Sequence, residues 1–336
     1  MRDVVPRAPR AAMSRREVLC AAGGCAAHLA LAGLVMPLWA RRAWAGPRGP
    51  VVAREPFGVL EQVAEGVWAL VSDPFGGDRT TLSNGGLVAG RTGVLAIEGF
   101  NTSAGAAWLG AQAKRLTGRW PTHVVVTHYH ADHANGVAGY RAASEATAPS
   151  LLMTDTTRDL AIVRNRPPTA TPESSARETA WRDAAVVPAT GERLLDLGDL
   201  PVRVLPMAGH TASDVAVHLP DRRVVFGGDL LWNGILPNYV DADPPALRRA
   251  ADALATLDAA RFVPGHGAVA DVAAVRRYRD VLDELERAAR AAHAAGTDAT
   301  TAANAYALPP SLGEWRLFGR VFYVRAFTAW YRVLGG

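Results

Sequence analysis

Four residues able to ligate a metal stand within six positions: His128-Tyr129-His130-Ala131-Asp132-His133. Neutral imidazole and carboxylate are borderline to hard donors that suit Zn²⁺. One ion can take His128 and His130, and its neighbour Asp132 and His133. Three further candidates each sit on a glycine-flanked turn: Gly209-His210-Thr211, Gly227-Gly228-Asp229 and Pro264-Gly265-His266-Gly267. Glycine lets the backbone turn sharply and approach an ion closely. Five of the eight histidines after residue 45 fall in these motifs. His123 and His218 lie inside strand-like patterns and read as sheet residues, and His293 as a surface helix residue.

Positioning such a cluster needs rigid elements, and the pattern supplies them. His123–Thr127 is an apolar run of buried-strand type that ends at the motif. Strands are expected at 66–71, 202–205, 215–219 and 224–226, with a hairpin over 86–97. A helix capped by Thr102 or Ser103 carries Trp108, Leu109, Ala113 and Leu116 on one face. Another starts at Asp243-Pro244 with Leu247, Leu254 and Leu257 buried. A third runs from Val272 to about Gly296. Two successive sets of strands and helices predict an α/β fold of sheets covered by helices. Residues 46–58 read as a linker or extended arm, 59–296 as the domain, and 297–336 as a C-terminal helical extension packing on it. Residues 164–191 are expected to be irregular, a surface loop or lid. Loops 72–85, 164–191 and 232–243 are expected to line the pocket. The aromatics Trp315, Phe318, Phe322, Phe327, Trp330 and Tyr331 read as packing residues.

The chain has 336 residues, 49% hydrophobic and 20% charged, as for an ordinary globular protein. The formal charge of +4 comes from the first 45 residues, which hold seven arginines and two acids; without them 29 basic residues face 30 acidic ones. A nucleic-acid-binding surface is therefore not expected. Both cysteines, Cys20 and Cys25, lie in the same segment, which leaves the rest without a disulfide, a thiolate metal site or a thiol nucleophile. Residues 1–45 resemble a twin-arginine export signal: Ser14-Arg15-Arg16-Glu17-Val18-Leu19, an apolar stretch over 18–39, and Ala43-Trp44-Ala45 before Gly46. The expectation is cleavage and a periplasmic mature protein with no permanent membrane anchor; the alternative is anchorage by residues 18–39.

The set H-x-H-x-D-H, G-H-T, G-G-D and P-G-H-G, in this order and spacing, resembles the metallo-β-lactamase superfamily over roughly residues 60–270. The resemblance implies an αββα sandwich with metals at one edge between two β-sheets. It implies that His128, His130 and His210 bind the first ion, that Asp132, His133 and His266 bind the second, and that Asp229 bridges them. Where such proteins often carry I-D-T-G, this chain has Ile97-Glu98-Gly99-Phe100. Glu98 either orients a ligand histidine or is an exposed turn residue. True β-lactamases of the superfamily carry Cys or Ser where Asp229 stands, so the ligand set is similar instead to glyoxalase II, lactonases and other ester or thioester hydrolases.

The implied activity is hydrolysis of an ester, thioester, lactone or amide in a small-molecule substrate. Two divalent ions, two Zn²⁺ per chain with Fe or Mn also compatible, lower the pKa of a shared water to ~7, and Asp132 aims that nucleophile. Asn233, Asn238 and Tyr239 either reach the substrate oxyanion or form a polar loop. Two other readings are a mononuclear-iron oxidoreductase similar to persulfide dioxygenases, and a metal-binding accessory protein of an exported quinoprotein pathway.

Overall fold

The computed structural model describes residues 49–142 and 147–335. The export-signal segment, residues 1–45, therefore lies outside the described residues. Two sheets stack face to face. The first has eight strands in sequential order: β1 (Val51–Glu55), β2 (Gly58–Ala64), β3 (Val67–Ser72), β4 (Gly85–Ala89), β5 (Val94–Ile97), β6 (His123–Val125), β7 (Ser150–Thr154) and β8 (Ala185–Val187). Pairing is antiparallel from β1 to β5 and parallel from β5 to β8. The second sheet has five strands: β9 (Arg193–Asp196), β10 (Pro201–Met207), β11 (Asp214–Leu219), β12 (Val224–Asn233) and β13 (Arg261–Gly267), with β12 and β13 parallel and adjacent.

Strand alternation explains the layers, because successive side chains point to opposite faces. In β3, Val67, Ala69 and Val71 face the other sheet, whereas Trp68 and Leu70 face helices. In β5, Leu95 and Ile97 point inward and Val94 and Ala96 outward. Both strands are buried throughout, which is why they read as continuous apolar runs. The first outer layer holds α1 (Ser103–Thr117), α2 (Ala131–Ala134), α3 (Ala138–Ala142), α4 (Asp155–Arg164) and α5 (Pro172–Arg182). The second holds α6 (Pro244–Thr256), α7 (Val272–Ala294), α8 (Ala299–Ala305) and α9 (Val321–Val333). The result is an αββα sandwich.

Sequence signals mark the helix starts. The Thr102 hydroxyl accepts the Gly105 N–H at the head of α1, and Gly118 closes that helix with a φ of 76°. Asp243 caps α6 ahead of Pro244. Three segments differ from expectation. Within 46–58, Val51–Glu55 pairs with β2 as an exposed edge strand; its alternation is weak because neither face is fully covered. Residues 164–191 contain α5 and β8 instead of one irregular loop. Thr171 and Ser174 cap α5 reciprocally, and Trp181 anchors it by donating to the Ala134 carbonyl. Only part of the C-terminal aromatic stretch is helical: Phe322, Phe327 and Trp330 bury on α9, whereas Trp315 and Phe318 precede it. Among the described residues no helix is long and apolar enough to cross a membrane.

Candidate metal centre

The site forms where strand ends of both sheets meet. The chain leaves β6 through Val126 and Thr127 and turns at His130 into the single turn of α2. This places Asp132 and His133 inside a helical turn, with His128 and His130 just before it. The loop is pinned from behind: Gly99 N–H donates to the His133 carbonyl (2.7 Å) and Ser83 Oγ to the Asp132 carbonyl (2.6 Å). His210 follows β10, Asp229 lies in β12, and His266 lies in β13.

The structure brings all seven side chains together in two groups. In the first, His128 Nε2 and His210 Nε2 lie 3.1 and 3.0 Å from His130 Nδ1, and His210 Nε2 lies 3.1 Å from Asp229 Oδ2. In the second, His266 Nε2 lies 3.3 Å from Asp132 Oδ2, and His133 Nε2 lies 3.8 Å from it. Asp229 Oδ1 is 3.2 Å from His133 Nε2 and 3.4 Å from His266 Nε2. The two oxygens of Asp229 are thus divided between the groups.

The donors fit a pair of cations. Nitrogen and oxygen ligands ~2.0–2.2 Å from a tetrahedral Zn²⁺ lie about 3.3 Å apart, close to most of the separations above. His133 Nε2 and Asp229 Oδ1 are buried without a hydrogen-bond partner, and such groups are costly unless something satisfies them. Three imidazole nitrogens converging on one point also call for positive charge between them.

Local chemistry holds the ligands. Thr127 Oγ1 lies 3.0 Å from His128 Nδ1. Glu98 is buried, not exposed: its Oε1 lies 3.0 Å from His133 Nδ1 and accepts from Thr127 Oγ1 at 2.6 Å, while Oε2 accepts from Thr127 N–H. Of the two roles open to Glu98, the structure displays the histidine contact. Asp241 Oδ2 lies 2.9 Å from His130 Nε2 and also accepts from Tyr129 Oη. Such partners fix which ring nitrogen carries the proton and leave the other free to ligate. Asp214 accepts from Thr211 N–H and Oγ1, closing the turn that carries His210.

Asn84 joins the two sheets beneath His266. Its amide donates to the Pro264 and Gly267 carbonyls (2.9 and 2.7 Å), its N–H donates to Gly265, and its Oδ1 accepts from Ser72. Gly265 is required by proximity: a Cβ there would lie 1.9 Å from Asp229 Oδ1 and 2.8 Å from the Gly228 carbonyl carbon.

The field divides the ligands. Burial, with His133 and His130 nearby, holds His128 far below an ordinary histidine. Burial also takes His210 down to about 3. For His266 burial pulls down, but Asp229 and Asp132 outweigh it and raise the ring to about 9. His133 rises likewise: burial opposes protonation, and Asp229, Glu98 and Asp132 overcome it. Burial pushes Asp132 up, yet His133 and His266 bring it down to about 2. The same carboxylates that attract a proton there would attract a metal ion.

Other candidates fall elsewhere. The Asn233 amide donates to the Ala268 carbonyl, and Asn238 Oδ1 accepts from Val240 N–H and Arg325. Tyr239 is buried in the core under α6–α9. This arrangement does not direct Asn233 or Tyr239 toward substrate: one amide is engaged by backbone and the other ring is enclosed. His123 and His218 are strand residues bonded to Thr122 and the Asp258 carbonyl. Sequence reasoning missed Asp241 and Asn84. Asp241 was masked by the neighbouring cap Asp243, and Asn84 by a Ser-Asn-Gly-Gly run that looks like a plain turn.

A sequence profile described as the metallo-beta-lactamase superfamily matches residues 78–266. The chain is similar to the acyl-coenzyme A thioesterase MBLAC2 of Homo sapiens, 29% identical over 135 residues, covering 38% of this chain and 48% of that protein. It is similar to the hydroxyacylglutathione hydrolase of Ruegeria pomeroyi, 33% identical over 108 residues, 32% of this chain and 33% of that one. The matches thus span half or less of these curated relatives. A metallo beta lactamase structure from Erythrobacter litoralis, with beta mercaptoethanol in its active site, aligns with a TM-score of 0.55 at 25% identity over 69% of this chain and 99% of the other. The sec-alkylsulfatase Pisa1 of Pseudomonas sp. shares the fold, with a TM-score of 0.62 at 16% identity over 82% of this chain and 50% of that one.

Proposed function

Because the chain belongs to the metallo-β-lactamase superfamily, we propose that it is a dinuclear zinc hydrolase of acyl thioesters or chemically related esters, lactones or amides. The observation that carries this reading is the division of Asp229, with Oδ2 turned to His210 and Oδ1 to His133 and His266. The thioester preference follows the two relatives named above as a thioesterase and a hydroxyacylglutathione hydrolase.

His128, His130, His210 and Asp229 would hold one ion, and Asp132, His133, His266 and Asp229 the other. When bound, the pair supplies a water nucleophile at neutral pH and polarises the scissile carbonyl. Asp132 has the most exposed side chain of the seven, at 18%, while the rest are nearly or fully enclosed. Its carboxylate therefore faces the open side, where it can accept a hydrogen bond from the attacking water and pass that proton to the leaving group. Glu98 and Asp241 keep His133 and His130 in ligating orientation throughout.

The test is a panel of acyl thioesters, aryl esters, lactones and β-lactams assayed on metal-analysed protein. The expected outcome is two zinc ions per chain, thioester or ester cleavage, and strong loss in Asp132→Ala and His133→Ala. Full turnover in both variants overturns the dinuclear reading. One iron per chain with dioxygen uptake on a persulfide replaces it with the oxidoreductase.

Export through the twin-arginine route is part of the proposal and rests on Arg15-Arg16 and Ala43-Trp44-Ala45. N-terminal sequencing of periplasmic protein should begin at Gly46; an intact N-terminus in the membrane fraction rejects it.

A further inference from the structure

The five ligand histidines are not supported alike. His128, His130 and His133 each have a hydrogen-bond partner on the nitrogen that faces away from the ligand cluster: Thr127, Asp241 and Glu98. The corresponding nitrogens of His210 and His266, both Nδ1, are buried with no partner. An imidazole without such a partner has nothing polar to fix its rotation.

One residue stands against both rings. Trp232 stacks on His266, with centroids 4.2 Å apart and planes inclined by 29°, and lies 6.3 Å from His210. Its indole Nε1–H donates to the Asp229 carbonyl at 3.0 Å. In the parallel ladder of β12 and β13 it is also the register partner of His266. Trp232 is buried, and Phe322 of α9 meets it edge-on at 6.5 Å. A side chain enclosed in this way offers a fixed flat wall, and offset ring contacts resist rotation of the imidazole.

We propose that Trp232, backed by Phe322, is the positioning residue for His266: its ring does by stacking what Glu98 and Asp241 do by hydrogen bonding for His133 and His130. The proposal rests on the dinuclear reading above and assigns the C-terminal helix a role in the second ligand group. Asp229 is steadied by the same residue through its carbonyl. The second ligand group thereby depends on packing at His266 as well as on the Glu98 contact at His133.

The experiment is a competition titration of metal-free protein with Zn²⁺ against a chromophoric chelator, with circular dichroism to establish folding. Wild type, Trp232→Leu, Trp232→Phe and Phe322→Leu are compared, and His266→Ala marks the loss of the ligand itself. Trp232→Leu should weaken the ion that His266→Ala also loses by ~10–100-fold, the range seen when the outer partner of a ligand is removed. The other ion should lose distinctly less, because Trp232 meets its group only through the Asp229 carbonyl and a 6.3 Å approach to His210. Trp232→Phe keeps a ring against His266 and should recover most of the affinity. Phe322→Leu should give a smaller loss in the same ion, and it serves as the deciding variant if Trp232→Leu does not fold. Unchanged second-ion affinity in folded Trp232→Leu, or in Phe322→Leu where that variant decides, overturns the proposal, as does equal loss of both ions. Failure of the dinuclear reading looks different: wild type itself would take up a single ion.

Discussion

The six-residue loop from His128 to His133 and the three glycine-flanked turns at His210, Asp229 and His266 deliver ligands to one centre by different means. The loop concentrates four ligands between a buried strand and one helical turn, and polar partners hold its histidines: Thr127, Asp241 and Glu98. The turns bring one ligand each from strands far apart in sequence, and close packing holds them together with bonds to the turn itself: Gly265 under Asp229, Trp232 against His266, and Asn84 and Asp214 bonded to the turns that carry His266 and His210. The loop is robust where its hydrogen bonds survive, and the turns are robust where nothing grows larger. Substitutions should therefore fail in two distinguishable ways.

The largest effect should come from Asp229, where the two kinds of support meet. Asp229→Ala removes the carboxylate shared by both groups and leaves His133 and His266 without their main counter-charge. Elemental analysis should find both ions lost and activity abolished. Removing one partner of a buried charged cluster typically costs ~3–5 kcal/mol, so chemical denaturation should also show weaker metal-free protein where those histidines are protonated. Retention of one tightly held ion would break the picture of a shared carboxylate.

Gly265→Ala tests the turns. The added methyl meets the Gly228 backbone and Asp229 Oδ1, and overpacking of this kind costs roughly 1–3 kcal/mol. The expected result is a lower midpoint of unfolding together with reduced metal content, although no ligand has been removed. An unaltered metal content would mean that the turn can yield.

The loop is tested by Glu98→Gln and Asp241→Asn. The first should lower metal affinity or kcat/KM by ~10–100-fold, as loss of a ligand's outer partner does. The second should fall at or below the lower end of that ~10-fold to 100-fold range, because Asp241 is about one-third exposed, at 32%, and water can take its place. A larger effect at Asp241 than at Glu98 would reverse this ranking.

The smallest effect is in the pH dependence of the metal-free protein, where the turn histidines oppose each other. His266 is raised to about 9, so its contribution to stability is complete below its unfolded value of ~6.5 and is lost as pH rises through about 9. His210 is lowered to about 3, so the unfolded chain binds its proton first and stability falls as pH drops from ~6.5 toward 3. Thermal melts should show a stability maximum near neutrality that saturating zinc removes. His266→Gln should lessen the alkaline slope, with His133 carrying the remainder, and leave the acid side in place.

These differences also set what the sequence could reveal. Four ligand types in six residues form a local pattern, and the glycine-flanked turns are visible because only small residues permit them. Strands β3 and β5 were legible because both faces are covered and the runs are apolar. Asp241 and Asn84 act across 111 and as many as 183 positions, and no local period marks such a partnership. Nor does any local period mark the stack of Trp232 on His266. Helix α5 escaped notice because it is short and polar, with only Ser174, Ala180 and Trp181 buried. Asn233 and Tyr239 were attractive by nearness in sequence to Asp229, but the strand continues to Asn233 and the chain then carries Tyr239 into the core.

Leu82, Glu98 and Phe100 all have left-handed backbones, with φ of 70°, 78° and 59°. They flank the contacts that Ser83 and Gly99 make to the carbonyls of Asp132 and His133. For residues other than glycine this conformation costs roughly 1–2 kcal/mol each, and such strain gathers where function demands it. A population evolved only for heat tolerance gains nothing from glycine or asparagine at position 82, because Leu82 is buried and truncating a buried leucine costs roughly 2–5 kcal/mol, more than the strain it relieves. Position 98 should stay fixed under selection for turnover, because relaxing its backbone discards the carboxylate behind His133. Strain is thus retained at both residues, at one by packing and at the other by function.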